Sequence, residues 1–251
     1  MFSKLLRRLV ILLIVGIFSF FLWQFIHKKK SEVVVYTGQT LLDDVMETAG
    51  GKAKWESKNS LKYKKHVQLF REDGATEIDR WELHEYAFAK AYAERKIAYK
   101  TQEDSIILRQ KNDLFNAYKN TKSDTTLSAA VIANRMNAGS FVIDLPYSLD
   151  SESAELTYTG IDTFSNTLVH KLVVDFKGSE DIWTLYYDTS NLDWLGYWVK
   201  TTGHYSMVTN TEMQEVNGFI LPKIRKSWRT DSLRNKTWIR AAYEYADFEI
   251  D

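Results

Sequence analysis

Across residues 155–228, hydrophobic and polar positions alternate with a period of two, and aromatic side chains are dense. In Leu168-Val169-His170-Lys171-Leu172-Val173-Val174-Asp175-Phe176, one face carries Leu168, Leu172, Val174 and Phe176, and the other takes Lys171 and Asp175. Residues 182–187 repeat the pattern with Trp183, Leu185 and Tyr187. Residues 192–199 are apolar on both faces and read as a more central strand. Alternation of this kind predicts antiparallel sheet with one buried face. Asp188-Thr189-Ser190-Asn191 and Asn217-Gly218 supply turn chemistry between strands.

Upstream, shorter and more polar strands are expected over residues 61–70, 77–90, 96–101, 105–110 and 113–119, with a last one over 238–250. Residues 85–95 suit either a strand or a helix. One helix is expected to start at Thr40 as N-cap, with Leu41, Leu42, Val45, Met46 and Ala49 on its apolar face. Asp43 and Asp44 then fall in its first turn, where the macrodipole favours them, and Gly50-Gly51 stop it. A second helix is expected over residues 124–138, with Leu127, Val131 and Ile132 as its apolar face and Gly139 as its end. An extended segment, 141–145, then runs into Pro146. The fold class is mainly β (α+β): a curved, aromatic-lined antiparallel sheet accompanied by helices.

Residues 9–26 carry no charge and span about 27 Å as a helix, enough for a thin bilayer. Trp23 suits an interfacial position, and Phe20-Phe21-Leu22-Trp23 followed by His27-Lys28-Lys29-Lys30 offers no small-residue cleavage site. The chain therefore divides into an uncleaved membrane anchor at 1–30, a linker at 31–39 and one domain at 40–251. Three basic residues flank each side of the apolar stretch, so charge does not orient it. No repeat or low-complexity hinge divides the domain, and only two prolines occur in the chain.

The formal net charge is zero, but residues 1–30 hold six basic residues and no acid. The remainder carries 27 basic against 33 acidic residues, a net of −6, which disfavours phosphate-backbone binding and so nucleic acid. Without cysteine there is no disulfide, thiolate metal site, cysteine nucleophile or lipid-modified N-terminal Cys.

No catalytic signature interrupts the strands. The five histidines, His27, His66, His84, His170 and His204, show no i, i+4 or i, i+2 spacing that preassembles a metal site. No serine lies in a nucleophile elbow, and no glycine-rich phosphate loop occurs. Neither a metal nor another cofactor is expected, and the chain does not read as an enzyme. A dispersed carboxylate pair is the one catalytic arrangement that composition permits.

Two features point to binding. Trp183, Tyr187, Trp194, Tyr197, Trp198 and Trp228 either fill the core or line a cavity for an acyl chain on a concave sheet. Lys223, Arg225 and Arg229 belong to a basic cluster that reads as a solvated hairpin or as a lip for an anionic headgroup.

Asn134-Arg135-Met136-Asn137, then Phe141 and Leu145-Pro146-Tyr147-Ser148-Leu149, resembles a segment of a branch of LolA-like (lipoprotein carrier-like) proteins of Gram-negative bacteria. Leu156-Thr157-Tyr158-Thr159-Gly160 running into His170-Lys171-Leu172-Val173-Val174-Asp175-Phe176 looks like the family's Tyr-x-Gly hairpin. Asn217-Gly218-Phe219-Ile220-Leu221-Pro222 looks like its later turn, and Gly50-Gly51 with Trp55 also fits. The resemblance covers residues 40–230 and implies an incomplete antiparallel β-barrel capped by helices, facing the periplasm from the inner membrane. It implies a binding protein for a lipid, an acyl chain or a lipidated partner, and it carries over no catalytic residue. A retained anchor departs from soluble carriers and favours a stationary receptor, chaperone or assembly factor. The alternative is a structural or protein-interaction module with a fully packed sheet.

Overall fold

The computed structural model describes residues 35–87 and 94–251. The expected anchor and the centre of the ambiguous 85–95 stretch lie outside the described residues. No helix among the described residues is long and apolar enough to cross a membrane. Residues 36–251 form one compact unit.

Helix α1, Gly38–Thr48, begins one turn earlier than Thr40 suggested. The side chain of Thr37 accepts from the Thr40 amide at 3.1 Å, and the Thr40 hydroxyl accepts from the Thr37 amide at 2.8 Å. This reciprocal capping box makes Thr37 the N-cap and leaves Asp43 and Asp44 beyond the first turn. The expected apolar face is right: Leu41, Leu42, Val45 and Met46 are buried.

The helix ends where Gly50 meets the Asn217-Gly218 turn. With φ at 121°, Gly50 packs so closely that an added Cβ would stand 2.4 Å from the Gly218 carbonyl oxygen. The Ile220 amide donates to the Ala49 carbonyl at 3.0 Å beside it. A short helix α2, Lys52–Glu56, then inserts Trp55, which stacks on Tyr147 at 5.0 Å and donates to Asp144 at 2.7 Å.

Among the described residues, thirteen strands form a single antiparallel sheet. Strands β1 (Ser60–Phe70), β2 (Thr76–Ala87), β3 (Glu94–Lys100), β4 (Ser105–Lys111), β5 (Leu114–Lys119) and β6 (Lys122–Asp124) meander away from the centre. Helix α3 (Ala129–Asp144) and a 3-10 turn (Tyr147–Leu149) follow. Strands β7 (Ala154–Phe164), β8 (Thr167–Phe176), β9 (Ile182–Asp188), β10 (Trp194–Thr201), β11 (His204–Val216), β12 (Phe219–Thr230) and β13 (Lys236–Ile250) meander back. Strand β13 then pairs with β1, from Leu61↔Ile250 to Leu69↔Ala241, joining both halves. Such order follows from short turns that pair each strand with its neighbour in sequence. The edges β6 and β7 do not pair with each other, so the sheet is open and curved and does not close into a barrel, in keeping with the incomplete barrel expected.

Helix α3 differs most from expectation. Ser128 caps it, and it runs through Gly139 to Asp144, absorbing residues 141–144 of the segment expected to be extended and leaving only Leu145 in an extended conformation. Gly139 is a contact point and not a stop. A Cβ there would stand 2.8 Å from the Tyr86 hydroxyl, and the Gly139 carbonyl accepts from the Tyr63 hydroxyl at 3.2 Å. Beyond it Phe141 packs on Trp183 at 5.0 Å, which draws the helix onward over the sheet.

The helices cover one face, here the inner face. Its main core joins α1, Trp55, the end of α3 and the 3-10 turn to β8–β13 and the start of β1. A smaller core packs Ile132 and Met136 of α3 on Ile97, Leu108 and Ala117. The outer face carries a third cluster of Phe164, Val169, Tyr186, Trp198 and Met207, so β8–β11 are apolar on both sides. Strand β10 lies between β9 and β11, the interior position its sequence suggested. Leu168, expected on the buried face, is 59% exposed beside the β7–β8 turn.

Candidate ligand-binding groove

The six aromatic residues do not line one surface. Trp183, Tyr187, Trp194 and Tyr197 lie on the inner face within the main core. Trp183 stacks obliquely on Tyr197 at 4.8 Å, and the Trp194 indole donates to the Gly196 carbonyl at 3.0 Å. Trp198 and Trp228 project from the outer face, where Met207 stands between them in register. The Trp198 indole donates to Thr230, and Arg234 covers its ring at 4.9 Å.

Trp194 and Trp198 are four residues apart, an even spacing that ought to keep them on one face. A bulge between Trp194 and Gly196 reverses the parity.

The three basic residues are likewise dispersed. Lys223 is exposed and paired with Glu212 at 2.9 Å. Arg229 is half-buried and donates to Ser206 at 2.8 Å. Arg225 is 1% exposed, held beside the Trp194 and Tyr197 rings with its Nε donating to Asn210 at 2.8 Å. No common lip results.

An open concavity on the inner face lies elsewhere. Helices α1 and α2 belong to the main core and the first half of α3 to the smaller one, leaving a gap over the ends of β1 and β2. There a groove of about 370 Å³ opens between α3 and the sheet, bordered by Tyr243 of β13. Its apolar wall is Val67, Leu69, Ile78, Ile97 and Leu108. Register places these side chains on one face: Val67 opposite Arg80, Leu69 opposite Ile78, and Ile97 opposite both His84 and Leu108. Alternation in β1 and β2 therefore builds the wall, and the position of α3 keeps it open.

The groove floor is polar and fully bonded. Arg80 donates to one Glu82 oxygen at 2.9 and 2.7 Å, and the His84 Nε2 lies 3.1 Å from the other. The His84 Nδ1 lies 2.6 Å from the Tyr86 hydroxyl, which lies 3.2 Å from that of Tyr63. Burial would raise the Glu82 carboxyl, but the hydrogen bond and charge of His84, the charge of Lys65 and the Arg80 contact outweigh it and bring its pKa down to about 2. Burial pushes the His84 imidazole down, so the ring is neutral at pH 7. With Glu82 ionised, His84 Nε2–H donates to it and Nδ1 accepts from Tyr86. Tyr63 is then free to donate to Gly139.

That row resembles an acid–base relay in composition, yet every member is committed. Burial raises the Tyr86 and Tyr63 hydroxyls, which stay protonated, and both His84 nitrogens are engaged. The row holds the strand and helix together and presents no activated nucleophile. Among the described residues, no three His, Asp or Glu side chains are placed to hold a metal ion.

None of the groove residues stood out in the sequence, because Val, Leu and Ile at alternating positions look the same whether a helix covers them or not. The strand-period spacing of Glu82, His84 and Tyr86 was the one available signal.

An open antiparallel sheet with helices across its inner face and an apolar groove beneath one of them defines a LolA-like fold. Solved structures share it, among them the following three. A LolA superfamily protein from Nitrosomonas europaea matches with a TM-score of 0.55 and 10% identity over 86% of this chain and 94% of that one. A DUF1329 family protein from Desulfovibrio piger matches with a TM-score of 0.55 and 8% identity, over the same shares of the two chains. A domain from Vibrio parahaemolyticus described as outer membrane lipoprotein-sorting matches with a TM-score of 0.51 and 10% identity, over 85% of this chain and 92% of that one. No family model and no curated protein matches the sequence.

Proposed function

We propose that this chain is a membrane-tethered envelope protein that binds a hydrophobic ligand in the groove between α3, β1 and β2. The ligand is a lipid, an acyl chain or the acyl group of a lipidated partner. Residues 1–30 hold the protein in the inner membrane with its folded domain in the periplasm. The observation that carries this reading is the groove wall, where Val67, Leu69 and Ile78 lie outside the packed clusters and continue the apolar stripe of Ile97 and Leu108. A volume of about 370 Å³ is at the small end of ligand sites, which run from about 300 to 1,000 Å³, and suits one chain better than several. The lipoprotein-sorting description of one structural neighbour supports the same ligand class. The role is binding, not catalysis.

The test is labelling of the full chain, in phosphatidylcholine nanodiscs, with a fatty acid carrying a photoreactive group. Label is expected on peptides of β1, β2 and α3. Ile78→Trp, which fills the groove from a half-buried position, should lower it at least fivefold with little change in Tm. Label that maps elsewhere, or that ignores Ile78→Trp, overturns the reading.

A second reading, a protein-interaction module, rests on the outer face. There Trp81 is 45% exposed and borders a wide hollow with Leu83, Ala98 and Ile107. Loss of partner capture on Trp81→Ser, with acyl labelling unchanged, would support it.

A further inference from the structure

The groove is apolar along its wall but cationic at its mouth. Lys65, Arg80 and Arg135 all border it, against the single carboxylate of Glu82. Two of these cations converge on one tyrosine: the Arg80 guanidinium lies 3.7 Å from the centroid of the Tyr99 ring, and Arg135 donates to the Tyr99 hydroxyl at 3.3 Å. Lys65 lies over the Tyr243 ring at 4.5 Å. Glu82 is committed to Arg80 and His84, and His84 is neutral. Among the described residues neither Lys65 nor Arg135 forms an ion pair with a carboxylate.

Gathering like charges around a half-buried cleft is unfavourable until an anion joins them. Residues 31–251 carry a net charge of −6, so a positive mouth runs against the bulk charge of the domain. Lys65 and Arg80 are half-buried, and partly desolvated cations attract an anion more strongly than exposed ones do.

We infer that the groove takes an anionic amphiphile, with the chain along Val67, Leu69 and Ile78 and a carboxylate or phosphate head held by Lys65 and Arg135 at the mouth. The inference rests on the acyl-binding reading above and names the head group that the ligand must carry. Arg80 stays tied to Glu82 and Tyr99, so it orients the site and adds positive potential. A neutral head would leave Lys65 and Arg135 with no counter-charge beyond the Glu82 carboxylate, which Arg80 and His84 already hold, and a cationic one would be repelled.

Three photoreactive probes of equal chain length separate the possibilities on the full chain in phosphatidylcholine nanodiscs: a fatty acid, a lysophosphatidic acid and a monoacylglycerol. The two anionic probes should label the groove peptides at least tenfold more than the neutral one. Lys65→Gln and Arg135→Gln should each reduce anionic labelling several-fold and leave neutral labelling unchanged. Because Arg135 is exposed on α3, its variant tests the head-group contact with little risk to folding. Stronger labelling by the fatty acid would assign a carboxylate head, and by the lysophosphatidic acid a phosphate head. Equal labelling by the monoacylglycerol overturns the head-group inference and leaves the acyl-binding reading standing. Labelling of the groove by none of the three overturns both.

Discussion

The guanidinium of Arg225 lies 5.0 Å from the centroid of the Trp194 ring, inside the packed half of the inner face. The cation and the indole that sequence analysis set apart, as headgroup lip and cavity lining, are thus neighbours in one core. One Arg225 nitrogen is buried without a hydrogen-bond partner, and Arg225 forms no ion pair with a carboxylate among the described residues. Removing the charge while keeping the volume should therefore cost little. Arg225→Met is expected to leave stability within about 1 kcal/mol of the parent, or to raise it, because an unpaired buried charge is unfavourable. Trp194→Ala should lose about 3–5 kcal/mol through the cavity it leaves. Urea melts of both variants check the contrast, and a large loss for Arg225→Met would show that the guanidinium stabilises the core.

Gly139 distinguishes a helix stop from a contact. In a helix interior Ala is favoured over Gly by about 1 kcal/mol. Here a Cβ would stand 2.8 Å from the Tyr86 hydroxyl and 3.2 Å from His84 Cε1, both buried. Gly139→Ala is expected to destabilise by about 1–3 kcal/mol, the cost of overpacking. A rise in Tm would mean that the helix stands further from β2.

The floor of the groove sets an acid limit to stability. Both His84 and Glu82 have pKa values lowered by folding. In each case the unfolded chain binds protons before the folded one does, so stability falls as pH falls. The His84 contribution begins to be lost as pH drops through its ordinary value of 6.5. That of Glu82 is complete above its ordinary 4.5 and is lost between there and about 2. Glu82→Gln should flatten the lower part of this decline. Thermal melts from pH 7 to pH 3 check it, and parallel acid limbs for parent and variant would exclude Glu82 as a source.

Arg95 fixes α3 to the sheet. From β3 it donates to Ser140 at 2.9 Å and to Asn137 at 2.8 Å, and it also donates to Gln110 on β4. Hydrogen bonds from a charged donor contribute about 1.5–3 kcal/mol each. Arg95→Ala should cost about 3 kcal/mol and speed amide exchange along Ala129–Asp144 ahead of β8–β11. Uniform acceleration across the chain would show that α3 does not open separately.

The sequence by itself determined most of the strands, the apolar face of α1 and the Asn217-Gly218 turn. Each of these rests on local signals: a period of two, a run of apolar residues at helical spacing, or turn residues side by side. It also removed thiol chemistry and phosphate loops, since these require residues that are absent.

Tertiary structure decided the rest. Gly139 reads as a stop because its intrinsic helix cost is local, whereas its value as a close contact depends on Tyr86, far away in sequence. Trp194 and Trp198 share parity but not a face, because bulges are set by strand pairing. The groove depends on which alternating stripe the helices leave uncovered. Val67, Leu69 and Ile78 have the composition of core residues, and only the landing positions of α1 and α3 make them a wall. Burial is a property of the assembled layers, so a pattern that shows which side chains share a face cannot show whether anything lies over them.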